Sequence, residues 1–182
     1  ITDKTPHLLA TPSRRHTTDN ISIEAEIRST SFLRSLADIN IHNGSPIMLK
    51  AYVNGASNAA SVSFSAPALQ LSGTKLNNSD IHLYTRCDTL LLDARTTRQD
   101  DKARNMSLCL AASASHNSLN TSLRWATDNR SDFRGVLNCY SIFSKSPDGE
   151  RTAHISVEPS EMYIQDTLWH IRPSRIMIGQ KD

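Results

Sequence analysis

Apolar and polar residues alternate strictly from Ile21 to Ile27. The odd positions of this range hold Ile, Ile, Ala and Ile, whereas the even positions hold Ser, Glu and Glu. Side chains of an extended strand point to opposite faces in turn, so this pattern is typical of a strand with one buried face. The range is the clearest strand signal in the N-terminal part of the chain.

The same alternation predicts many further short strands, separated by turns rich in Gly, Pro or Asn. These strands lie at 47–53, 62–64, 69–71, 119–125, 153–157, 162–164, 167–171 and 175–178, with turns at 42–46, 54–55, 73–74, 77–80, 116–117 and 146–149. Residues 81–83 and 90–92 form one longer strand or two short ones, and 107–112 is a further apolar stretch. Pro67 predicts an edge position or a strand end, because proline cannot donate to a ladder. Residues 135–143 are apolar at both alternate positions, which predicts a central strand covered on both faces.

Two stretches carry helix signals. Phe32, Leu36 and Ile39 recur at helical spacing, and the hydroxyls at 29–31 could cap the first turn. Thr97–Asn105 is the second candidate, with Thr97 as N-cap and two aspartates near the positive end of the helix dipole. The predicted fold class is therefore α+β, a mainly antiparallel β-sheet with one or two short helices and a flexible N-terminal arm.

The domain organisation follows from length and from the start of the alternation. A chain of 182 residues suits one domain with its own core, and we predict a single globular domain over 21–182. Residues 1–20 hold two prolines and no period, which predicts a flexible arm. Pro6, Leu8 and Leu9 form a small apolar patch that could dock on a neighbouring subunit. The alternative is an untethered tail.

Charge narrows the partners only slightly. The formal net charge is +2, too small to indicate a nucleic-acid binder by itself. Fourteen Arg against six Lys favour contacts with phosphates, because the guanidinium group presents a planar fork of donors. Candidate phosphate or lipid contacts are Arg14, Arg15, Arg86, Arg95, Arg98 and Arg104. The alternative is a solvated face with local ion pairs.

No catalytic motif is present: the chain lacks a nucleophile elbow, a zinc-protease motif, a phosphate-binding Gly-rich loop and a Cys-x-x-Cys pair. We therefore predict no enzyme activity, no cofactor, no catalytic or metal site and no small-molecule substrate. Three widely spaced cysteines favour a reducing compartment. Six Asn-x-Ser/Thr sequons favour secretion instead.

The segment from Ile21 to Ile39 resembles the first strand and first helix of the rhabdovirus matrix proteins. That family has a short alternating strand, then Val-Arg-Ser, a Phe, an Arg-Thr pair and an Asp-Val. The corresponding residues here are Ile27, Arg28, Ser29, Leu33, Arg34, Ser35, Asp38 and Ile39. The arm lacks a dense lysine cluster and the chain lacks the Pro-Pro-x-Tyr and Pro-Thr/Ser-Ala-Pro motifs, so the plant-infecting branch fits better.

The resemblance implies a non-enzymatic viral structural protein that self-associates as a homo-oligomer or polymer. Its other partners would be the viral nucleocapsid and an anionic membrane surface. It would reside in the virion and the host cell interior, peripheral to the membrane. Two alternatives stay open: a β-sandwich viral capsid subunit released from a polyprotein, and a secreted glycosylated binding module.

Overall fold

The computed structural model describes residues 19–28, 39–41, 45–99, 104–128, 133–145 and 150–180. These residues form thirteen strands in one antiparallel sheet. The strands are β1 Asn20–Ile27, β2 Ile39–Ile41, β3 Ile47–Asn54, β4 Ala59–Leu71, β5 Thr74–Arg86, β6 Thr89–Gln99, β7 Asn105–Ser115, β8 Ser118–Thr127, β9 Phe133–Lys145, β10 Arg151–Val157, β11 Ser160–Ile164, β12 Thr167–Ile171 and β13 Ser174–Gln180.

The predicted α+β class is wrong, because the described residues form strands and turns and contain no helix. The candidate helix beginning at Thr97 is also wrong: Thr97 to Gln99 close β6, and Asn105 opens β7. Thr97 pairs with Ser107 across the β6–β7 ladder, so pairing with a neighbouring strand overrides the local capping signal. Residues 29–38 of the other candidate helix lie outside the described residues, and Ile39 begins β2.

Most strands pair with the strands next to them in sequence. The main path through the sheet runs β1-β3-β4-β5-β6-β7-β8-β9-β10-β13. Two long strands change partner along their length. β4 pairs with β3 through 59–65 and with β2 through 69–71, and β9 pairs with β11 through 133–136 and with β10 through 139–145. At each side of the sheet, two strands therefore share one long neighbour: β2 and β3 pair with different parts of β4, and β10 and β11 pair with different parts of β9.

The predicted strands are confirmed in type, but the turn predicted at 77–80 is wrong. Residues 77–80, predicted as a turn, lie inside β5, where the register with β6 shifts between Asn77 and Asp80. Asn78 has a positive φ of 50°, which gives the strand a local bulge. Pro67 lies within β4 opposite this irregularity, between the paired positions Ala66–Ser79 and Ala68–Asn77. The proline thus occupies a place where its missing N–H interrupts no registered pair.

The small core of the protein lies beside this bulge. Ile47, Ala66 and Leu69 are the buried hydrophobic residues among those described, and Phe64 and Leu76 pack against them. The predicted central position of 135–143 is confirmed, since β9 has neighbours on both sides. Its predicted coverage on both faces is not observed, because most side chains of 135–143 are half-buried and Ile142 is exposed.

Candidate functional site: the apolar face of the sheet

The register of the ladders places most of the aliphatic side chains on one side of the sheet, together with a few polar ones such as Arg98, Thr121 and Ser141. In the middle of the sheet, Ala94 on β6 pairs with Leu110 on β7, Leu110 pairs with Leu123 on β8, and Leu123 pairs with Leu137 on β9. Residues that pair directly across a ladder share a face. Each such row therefore forms an apolar stripe that runs across the strands.

The stripes extend to both sides of the sheet. On one side, Ile21 of β1 pairs with Val53 of β3, and Ile23 pairs with Ala51. On the other, Ile155 of β10 pairs with Ile176 of β13. We call this side of the sheet the apolar face. It further includes Leu49, Val62, Phe64, Ile81, Leu83, Leu90, Leu92, Leu108, Leu119, Trp125, Phe133, Met162, Trp169 and Ile178, placed by the same registers.

The opposite side, the polar face, carries ordinary exposed interactions. Lys50 donates to Glu24 Oε1 at 3.0 Å, and the Arg134 guanidinium lies 4.0 Å from the centre of the Tyr163 ring. Arg28 donates to Glu26 at 2.8 Å, and this hydrogen bond holds the pKa of the Arg28 guanidinium above its usual value. Exposed pairs of this kind contribute little stability each. No described element covers this face either, and it also carries exposed apolar residues such as Ile142 and Met177.

Within the described ranges, no second sheet or helix packs on the apolar face. Its side chains consequently stay partly exposed, even in large hydrophobic residues. Ile21, Ile23 and Ile178 are 53%, 54% and 55% exposed. A soluble monomer rarely leaves so extensive an apolar surface without a partner, so this face is the candidate binding surface.

The apolar face contains an open cavity of about 370 Å³. It lies beside the irregularity of β4 and β5, and residues before and after this irregularity line it. Its lining includes Phe64, Leu69, Leu76, Ile81, Leu110 and Leu123. Ser79 and Thr96 also belong to the lining, and their hydroxyl groups are hydrogen bonded to each other at 2.7 Å. Each of these two hydroxyl groups therefore has a partner inside the cavity. The surface presented to a ligand is almost entirely aliphatic.

The predicted contact residues do not form one site. Pro6, Leu8, Leu9, Arg14 and Arg15 lie outside the described residues. The remaining arginines, Arg86, Arg95, Arg98 and Arg104, are exposed and spread over β5, β6 and the residue before β7. Arg95 and Arg98 lie on opposite faces, because they are three positions apart on one regular strand. The sheet therefore separates Arg95 from Arg98.

The described residues bring together no group of three or more His, Cys, Asp or Glu side chains that could hold a metal ion. Among the same residues, no helix is long and apolar enough to cross a membrane. No family model, curated protein or solved structure matches the chain.

Sequence reasoning found the individual strands but missed that their apolar sides combine into one surface. Two-residue turns join several strands, at 72–73, 87–88, 116–117 and 165–166. Such a turn pairs the residues directly before and after it, so the face of one strand fixes the face of the next. The length of each turn, together with the alternation in the strands, therefore indicates from sequence which residues of successive strands share a face.

Proposed function

We propose that this protein is a non-enzymatic binding module whose apolar face holds the hydrocarbon chain of a lipid. The observation that supports the proposal is the apolar face, which no element of the described ranges covers, with its open apolar cavity. Burial of apolar area contributes about 25 cal/mol per Å². The face offers this contribution to any elongated apolar ligand that covers it.

The shape of the surface favours a chain over a compact ligand. The stripes of aliphatic side chains run across many strands, so a flexible chain can follow them over a long distance. The cavity volume of about 370 Å³ falls at the lower end of small-molecule sites, which span about 300–1,000 Å³. Few polar groups line it, so the lipid headgroup would remain at the open, solvated side.

The other candidate occupant is a second apolar sheet, as in a β-sandwich. Sheets packed face to face bury their apolar sides against each other at about 10 Å. The sandwich alternative from the sequence would therefore also explain an apolar face. It predicts a stable dimer or a protein partner and no retained lipid, and the experiment below separates the two.

The viral structural role implied by the resemblance stays a prediction. Nucleocapsid binding, contact with an anionic membrane, and the virion and host-interior location have no supporting observation among the described residues. The same holds for the secreted, glycosylated alternative.

Lipid binding can be tested with two matched leucine variants. Leu110 lies on the apolar face and lines the cavity, whereas Leu91 lies on the polar face, where it pairs with Ser113 and Tyr84. Both side chains are half-buried. L110Q and L91Q therefore make the same chemical change on opposite sides of adjacent strands.

The full chain is delipidated, then titrated with palmitate and with a phospholipid, and complexes are counted by native mass spectrometry. We expect wild type and L91Q to bind, and L110Q to bind at least about tenfold more weakly, because a buried amide without a partner costs about 1–3 kcal/mol. Equal binding by L110Q and L91Q would contradict the proposal. So would a constant dimeric mass with no bound lipid, which would favour the sandwich.

A further inference from the structure

Each side of the main strand path ends in an exposed strand with one free edge. In the described part of the chain, β1 pairs only with β3, and β13 pairs only with β10. Among the described residues, the outer side of each strand therefore presents unpaired backbone N–H and C=O groups. Such edges are templates for another strand.

The two edges are compatible in direction. The path from β1 to β13 contains ten strands, each antiparallel to the next. With an even number of strands, β13 runs opposite to β1. When a second copy is placed beside the first in the same orientation, its β1 therefore lies antiparallel to β13 of the first copy.

The two edges are also compatible in side chains. If Arg175 of β13 lies opposite Glu24 of β1, then Ile176 lies opposite Ile23, and Ile178 lies opposite Ile21. All four isoleucines belong to the apolar face, so this register continues that face from one copy to the next. A register shifted by one residue would place isoleucines on the polar face.

Charge supports the same register. The Glu24 side chain is 64% exposed on the polar face of β1, and Glu26 shares that face. Arg175 is exposed on the polar face of β13. Opposite charges directly across a ladder stabilise the pair of strands, and like charges destabilise it. Glu24, which already accepts from Lys50 on β3, would thus gain Arg175 as a second cationic neighbour.

We infer that copies of this protein associate head to tail, with β13 of one copy pairing with β1 of the next to extend the sheet and its apolar face. This contact is heterologous, so repeated addition gives an open filament or a closed ring. The inference is independent of lipid binding, because the strand edges, the isoleucine register and the polar-face charges on which it rests require no bound lipid.

Charge reversal tests the contact. E24R places like charges across the proposed junction, and R175E does the same from the other side. Each variant alone should raise the apparent dissociation constant at least about tenfold in sedimentation velocity of the full, delipidated chain. An equimolar mixture of E24R and R175E should regain association, since each junction then joins opposite charges. The double variant should associate by itself.

E158R and R172E are the matched controls, because they make the same charge changes at exposed positions outside β1 and β13. Both should associate as wild type does. Far-UV circular dichroism checks that each variant is folded. A wild-type chain that stays monomeric at every concentration, single variants that associate normally, or a mixture that fails to regain association would each overturn the inference.

Discussion

Gly135 and Trp125 lie directly opposite each other on β9 and β8, and the indole ring occupies the space where a side chain at position 135 would begin. A Cβ atom at Gly135 would collide with the ring, and it would lie 2.9 Å from Cβ of Met162 on β11. The glycine therefore lets the indole and Met162 pack over the β9 backbone on the apolar face.

We expect Gly135→Ala to lower the free energy of unfolding by about 1–3 kcal/mol, because the indole and the β11 backbone must move to accept the new methyl group. Urea denaturation followed by Trp fluorescence measures the change. Gly179→Ala is the control: its nearest contact would be Thr152 Cγ2 at 3.8 Å, an ordinary distance. Similar values for the two variants would contradict the close packing at Gly135.

Ile47 and Ile21 provide a second contrast, since both are isoleucines on the apolar face. Ile47 is 1% exposed in the small core, whereas Ile21 is 53% exposed on the edge strand. We expect Ile47→Ala to cost about 2–5 kcal/mol, the usual cost of removing a buried isoleucine side chain. Ile21→Ala should change stability by less than about 0.5 kcal/mol. Chemical denaturation of both variants under one condition would refute this packing if their costs were equal.

Substitutions in two of the two-residue turns should change the free energy of unfolding in opposite directions. Asp166 has a φ of 62° in the turn between β11 and β12, a left-handed conformation that strains a residue with a Cβ atom. Gly73 has a φ of 82° in the turn between β4 and β5, with no atom near its missing Cβ. Asp166→Gly should raise the free energy of unfolding by about 0.5–1 kcal/mol, and Gly73→Ala should lower it by about 1 kcal/mol. Thermal unfolding of both variants tests the pair of signs, and a shared sign would contradict the turn geometry.

Cysteine exposure predicts a simple labelling pattern. Cys87 is exposed in the turn between β5 and β6, whereas Cys109 and Cys139 are half-buried within strands. Ellman's reagent should therefore react in one fast phase, equivalent to one thiol, followed by slower phases, since access limits thiol reactivity. Cys87→Ser should remove the fast phase and leave the slow ones. Loss of a slow phase instead would contradict the placement of Cys87.

The alternation of residues in 21–27, 47–53 and 119–125 was enough to locate their strands, because period two has one structural meaning. The helix prediction at Thr97 failed for a physical reason: capping residues describe only local preference, whereas the ladder from β6 to β7 supplies hydrogen bonds along the whole segment. The bulge at Asn78 was also missed, since polar residues inside a strand resemble a turn in sequence.

The candidate site was predictable only in part. The sequence correctly shows which residues are apolar, but it does not show that nothing covers them within the described part of the chain. The proposed phosphate or lipid contacts of the arginines stay a prediction, but strand parity places Arg95 and Arg98 on opposite faces of the sheet. The number of positions between two residues of one strand decides whether they share a face, and that number is known from the sequence.

Each strand from β4 to β9 is paired with the strands directly before and after it in the chain. In such a sheet each strand is stabilised mainly by the strands it pairs with, as each unit of a repeat protein is stabilised by its nearest neighbours. Opening should therefore begin at the outermost strands and move inward, so that amide protons of β6 and β7 exchange last and those of β1 and β13 exchange first. The same serial construction lets the sheet grow or shorten by a hairpin while the remaining ladders keep their register.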